Sequence, residues 1–148
     1  MAANKPEDWP QAFTRHVAAG DIEAVVALYA PEATFVTRSG DTLVGREAIR
    51  PVLAELIRNR TRLQGRVARV LTVGDVAILY TDFEGTTVDP SSSRTIEMRS
   101  NAIEVLRRQA DGTWTLIVGD PNARASAERD PDARARAERE PVAHAPPR

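Results

Sequence analysis

Four segments rich in β-branched and aliphatic residues, Arg66–Val73, Val76–Glu84, Arg94–Arg107 and Trp114–Val118, follow one another with only short turn-forming links between them. The links are Gly74-Asp75, Asp89-Pro90-Ser91-Ser92-Ser93 and Asp111-Gly112. A parallel crossover needs a dozen residues or more, so links this short force an antiparallel meander. Ahead of the meander the apolar period is helical. Trp9, Phe13 and Val17 recur every four residues, which predicts a helix from Asp8 to a stop at Gly20. Asp21 caps a second helix whose apolar face is Ile22, Val25, Val26 and Tyr29, and Pro31 is expected to end it. A strand over Ala33–Thr37, a turn at Ser39-Gly40-Asp41 and a return strand over Thr42–Val44 come next. A third helix follows Gly45, with Ile49, Val52, Leu53, Leu56 and Ile57 as its stripe and Pro51 bending its first turns. Three helices followed by a long sheet make an α+β layout.

The run Val76-Ala77-Ile78-Leu79-Tyr80-Thr81-Asp82-Phe83 is apolar at both parities. One face of such a sheet packs on the helices and the other needs cover, so a homodimer through the sheet is expected. From Pro121 onward proline, alanine, arginine and glutamate dominate, and Val142 is the one large aliphatic residue. That composition cannot offset the entropy of ordering the chain. The domain is therefore expected over residues 6–122, followed by a disordered Ala/Arg/Glu/Pro tail over 123–148.

Charge and composition close several options. The chain has 20 basic and 21 acidic side chains, a net charge of −1, and no clustered basic-aromatic surface. Neither nucleic acid nor an anionic membrane is an expected partner. Without cysteine there is no thiolate chemistry, and two histidines are too few for a built-in transition-metal site, so no metal is expected. There is no Gly-rich phosphate loop and no G-x-S-x-G elbow, so no cofactor is expected either. No apolar run has the length of a spanning helix, and MAANKPEDWPQ lacks the apolar centre of a secretory signal. A soluble, cytoplasmic protein is the expectation.

Three stretches carry a family resemblance: GDIEAVVALYAPEATFV, GREAIRPVLAEL and AIEVLRRQADGTWTLIVGDP. In this order and spacing they resemble the SnoaL-like and ketosteroid-isomerase-like families of the nuclear-transport-factor-type α+β cone superfamily. The resemblance spans nearly all of residues 10–122. It implies a cone-shaped, curved antiparallel sheet packed on three N-terminal helices, with a pocket for a small apolar molecule inside. The superfamily hosts isomerases, dehydratases, cyclases, hydrolases and domains with no known activity, so the fold alone names no reaction. Aligned on the isomerases, the general-base aspartate falls at Thr37, the helix-one oxyanion tyrosine at Phe13 and the second, protonated donor at Glu104; Tyr29 matches a pocket tyrosine. A threonine cannot abstract a carbon-bound proton and a phenylalanine has no hydroxyl, so steroid isomerisation by that mechanism is not expected.

Glu104 is the leading candidate for acid-base work. Pointing inward, it would be made neutral by burial and tuned toward proton transfer; pointing outward, it would pair with Arg69 or Arg99. Asp82 is either a second carboxylate near it or a charge on the dimer face or the sheet edge, since parity with the inward residues of the resembled family favours Leu79, Thr81 and Phe83 instead. Asp120 stands where some SnoaL-like cyclases place an acid/base, or it caps the turn before Pro121. His16 is either a base or a cation at the C-terminal end of helix one. Phe13, Tyr29, Thr37, Leu79 and Ile117 complete the expected ligand-binding set, with Tyr29 either a hydrogen-bond donor or a plug. Two functional classes follow: a cofactor-independent SnoaL-like isomerase, cyclase or dehydratase, and a non-catalytic ligand-binding or dimerisation module.

Overall fold

The Leu28 carbonyl is a meeting point of three elements. It accepts the Trp9 indole Nε1–H at 2.9 Å and the Leu116 amide at 2.9 Å, so the first helix, the C-terminal cap of the second and the last strand are tied at one oxygen. The computed structural model describes residues 2–124. A 3-10 turn (Pro6–Asp8) leads into α1 (Trp9–Ala19), α2 (Ile22–Ala27), β1 (Tyr29–Val36), β2 (Thr42–Val44), α3 (Arg46–Arg58), β3 (Arg62–Val73), β4 (Val76–Val88), β5 (Thr95–Arg108) and β6 (Trp114–Asp120). Gly20 stops α1 in the left-handed conformation at φ 72°, which a residue without Cβ adopts cheaply. The next helix starts one residue later, because the Asp21 carboxylate accepts the Ala24 amide at 3.1 Å.

The architecture is α+β: one curved six-stranded sheet, in the order β2-β1-β6-β5-β4-β3, with the helices against its inner face. β3 through β6 form the antiparallel meander. The sheet is not antiparallel throughout, because β1 lies parallel to β6. β6 ends the meander beside a strand laid down before it began, and that pairing carries no local signal.

Two local expectations need correction. The second helix stops at Ala27 rather than at Pro31, and Tyr29 opens β1 instead of completing the helix face. Pro31 sits within β1, between Tyr29 and Thr34, where the register against β6 shifts. At such an irregularity a missing N–H is no loss to the ladder. The guanidinium of Arg46, at the start of α3, fastens this stretch by donating to the Tyr29 carbonyl from Nε at 2.9 Å and Nη2 at 2.7 Å.

Packing also passes both expected ends of the domain. Ala3 is fully buried and its carbonyl accepts the Trp114 amide at 2.8 Å. At the other end Arg124 donates its amide to the Asn101 carbonyl at 3.1 Å. The remainder of the expected tail, residues 125–148, lies outside the described residues.

Gly85 marks a tight crossing of β3 and β4. A Cβ at this position would stand 1.8 Å from the Arg62 carbonyl oxygen and 2.9 Å from the Leu63 Cα, both backbone atoms of the paired strand. Neither can move without breaking the ladder. Gly85→Ala is therefore expected to lower the unfolding free energy by roughly 3 kcal/mol or more, read by urea denaturation, as overpacking against fixed backbone does.

Candidate functional site

Parity decides what enters the cone. On β5, Ala102, Glu104 and Leu106 share the inner face and all three are buried; on β4, Leu79, Thr81 and Phe83 do the same. Between this face and the helices lies a cavity of about 630 Å³. α1 supplies Trp9 and Phe13, β1 supplies Tyr29 and Phe35, and α3 closes the side with Val52, Leu53 and Leu56. The aromatic rings form a continuous wall. Trp9 stacks on Phe13 at 5.3 Å, meets Tyr29 edge-on at 5.6 Å, and Phe13 meets Phe83 edge-on at 6.1 Å.

Glu104 lies in this wall with 4% of its surface exposed. Its Oε1 accepts the Thr81 hydroxyl at 2.7 Å, and the residue lines the cavity. Desolvation pushes its pKa up from 4.5 to about 7, and the Thr81 hydrogen bond offsets only part of that. The Tyr29 hydroxyl is also buried, which raises its pKa far above the ordinary value, with the Glu104 charge adding to the rise. It therefore stays protonated, close enough to the carboxyl to feel its charge.

The other expected residues separate into those on the cavity and those away from it. Phe13, Tyr29, Thr37, Glu104 and Asp120 line it. The Thr37 hydroxyl is engaged with Ser39 Oγ at 2.9 Å in the β1–β2 turn. The Asp120 carboxylate accepts the Asn122 amide at 3.2 Å, a turn cap. Leu79 is wholly buried in the core beside Glu104 and does not line the cavity. Ile117 sits at the β6 irregularity and packs on the core from outside the lining, and His16, in the last turn of α1, is also away from it. Asp82 is on the opposite face of the sheet. It binds Asn101 at 3.0 Å, Arg124 at 2.7 Å and Arg66 at 2.8 Å, and these hold its carboxyl below the usual range, Asn101 most of all. Alternation along β4 sends it outward because Thr81 and Phe83 go inward. Trp9 and Phe35 are the main lining residues that sequence reasoning did not place in the site, and Phe83, expected to point inward, joins them in the lining.

Among the described residues no group of three or more His, Asp or Glu side chains could hold a metal ion, and no helix is long and apolar enough to cross a membrane.

A curved sheet closed by three helices around an apolar cavity with one buried carboxyl defines the cone-fold pocket proteins. Residues 11–117 match the model of the SnoaL-like domain, and the chain belongs to that family. A comparison with curated proteins gives no match. Among solved structures it is similar to a ketosteroid isomerase-like protein from Erwinia carotovora atroseptica, with a TM-score of 0.67 at 20% identity over 77% of this chain and 89% of that one. A proposed dehydratase of the NTF2-like family from Streptomyces avermitilis gives 0.63 at 20% identity over 76% and 88%. An NTF2-like protein with a cystatin-like fold from Novosphingobium aromaticivorans gives 0.66 at 18% identity over 86% and 83%. Likeness at these identities speaks for the fold.

The raised Glu104 pKa has a thermodynamic signature. Between pH 4.5 and about 7 the folded chain holds a proton that the unfolded chain has released, so stability is full below that window and falls as pH rises through it. At about 1.4 kcal/mol per unit the loss is roughly 3 kcal/mol. Glu104→Gln keeps the shape and the Thr81 hydrogen bond without the ionisation. Chemical denaturation from pH 4 to 8 is expected to show this loss in the natural chain and not in the variant.

Proposed function

We propose that this domain binds a small, largely apolar molecule in the cone and transfers a proton on it without a cofactor, in an isomerisation, cyclisation or dehydration. The observation that carries this reading is Glu104, a carboxyl open to an aromatic cavity and balanced near pH 7. A group so balanced takes a proton as carboxylate and returns it as acid at neutral pH, the condition for efficient general acid-base work. Tyr29 donates a hydrogen bond to the oxygen on which negative charge develops. The names of two structural neighbours, a ketosteroid isomerase-like protein and a proposed dehydratase, agree with this class. Thr37 and Phe13 favour a second reading, a pocket that binds without turnover, because neither offers a base or a hydroxyl donor to a ligand in the cone.

We further propose that a second copy covers the outer face of the sheet. Leu71, Ile78, Val105 and Val118 stand opposite one another across four strands and form an apolar row on that face. Ile78→Glu is expected to convert a dimer to a monomer in sedimentation equilibrium; a natural chain that sediments as a monomer refutes this interface.

The proton-transfer reading is tested by solvent deuterium incorporation into a panel of apolar ketones, followed by NMR. The natural chain is expected to exchange at least one of them, with a rate rising through pH 7, and Glu104→Gln to lower that rate by about 100-fold or more. Ligands that quench Trp9 fluorescence yet never exchange would leave the binding reading in its place.

A further inference from the structure

β6 stops at Asp120, opposite Ile103, whereas β5 runs on to Thr95. Over that remaining length β5 has no β6 neighbour, and the chain turns along it. Ser100 Oγ donates to the Pro121 carbonyl, Ala123 donates its amide to the Asp120 carbonyl at 3.3 Å, and the Arg124 amide reaches Asn101. Pro121 and Asn122 line the cavity. Two residues later the Arg124 side chain is on the outer face. Its Nη2 lies 2.7 Å from Asp82 Oδ1 and 3.2 Å from the carbonyls of Thr81 and Ala102, and its guanidinium stacks over Tyr80 at 5.3 Å. Nε is buried with no acceptor, so the hydrogen bonds of the guanidinium rest on Nη2 alone. That is a weaker hold than a two-nitrogen fork on a carboxylate. Thr81 joins the two faces: its carbonyl accepts from Arg124 while its hydroxyl donates to Glu104.

We propose that Arg124 is a positioning residue, a latch on the outer face that holds the Pro121–Asn122 turn against the cavity and sets the rate at which a ligand enters and leaves. The inference rests on the reading that the cone takes a small molecule. The partners are all specific: an oriented carboxylate, two strand carbonyls and an aromatic face. A latch of this kind changes kinetics more than affinity, since it stabilises the closed form with or without a ligand inside.

The test uses the full chain and the neutral fluorescent probe N-phenyl-1-naphthylamine in stopped flow. Arg124→Ala is expected to raise the association and dissociation rates each by about tenfold, with the dissociation constant moving less than about threefold. Arg124→Lys, which keeps a cation at Asp82, is expected to return both rates most of the way. Hydrogen exchange gives a readout that needs no ligand: the Asn122 and Ala123 amides should exchange about tenfold faster in Arg124→Ala, and those of the β3–β4 ladder should not change. Unchanged exchange at 122 and 123 overturns the latch. Faster exchange with unaltered probe rates overturns its role in ligand access. A natural chain that binds no probe refutes the pocket reading instead, and exchange then decides the latch alone.

Discussion

Glu104 is inside the cone because its neighbours carry it there. Ala102 and Leu106, two residues to either side on β5, are 2% and 0% exposed, and a strand presents every second residue to the same face. Register against β4 sets Leu79 opposite Glu104 and Thr81 opposite Ala102, so the whole inner row is bound to one alignment. A slip by one residue would bring Leu106 and Ala102 to water, and the apolar surface lost would exceed what a freed carboxylate gains. The pleat therefore overrides the cost of desolvating the acid. Its cross-strand partner on β6 is Gly119, where the missing side chain leaves room for the Leu116 and Phe35 side chains to pack.

From this constraint the electrostatics follow in order. A carboxyl that must be buried and receives a single hydroxyl donor is under-solvated as an anion, which is why its pKa climbs toward neutrality. Asp82, bonded to polar partners on both neighbouring strands, shows the converse. The same residue class on the opposite face meets Asn101, Arg124 and Arg66, and its pKa falls. Two carboxyls on adjacent strands are thus driven apart by which face they occupy.

Much of this was legible in the sequence where one element decides the matter. The 3.6-residue period of Ile49, Val52, Leu53 and Leu56 sets α3, the Asp21 cap sets α2, and the short links set the meander. Parity with the inward residues of the resembled family turned Thr81 and Phe83 inward, and both are buried there. What escaped depends on distant partners. Val25, Val26 and Tyr29 keep helical spacing, yet β6 draws Tyr29 into a strand through its pairing with Leu116. Pro31 reads as a helix stop because its tolerance at a sheet irregularity depends on β6. Arg124 was assigned to the tail by composition, since no local pattern announces a carboxylate 42 residues earlier in the chain.

The resemblance to the ketosteroid isomerases implies a base on one residue and a proton-donating pair on two others, whereas among the described residues the one buried carboxyl of this cone is Glu104, beside the Tyr29 hydroxyl, and Asp120 lines the cavity as a turn cap. Tyr29 reaches the site from β1, its backbone held by Arg46, and so supplies from a strand the hydroxyl that Phe13 lacks on the first helix. In the proposed proton transfer, with no aspartate at position 37, removing and returning the proton would both fall to Glu104. A single group can do both only when its pKa stands near the working pH, so that neither form is scarce, and the aromatic wall provides that condition. It also restricts the reaction. In the proposed reaction Glu104 reaches one face of a bound molecule, so the proton it lifts would return to an atom on that same face. Proton shifts between neighbouring atoms meet this limit, and reactions that need separate acid and base on opposite faces do not.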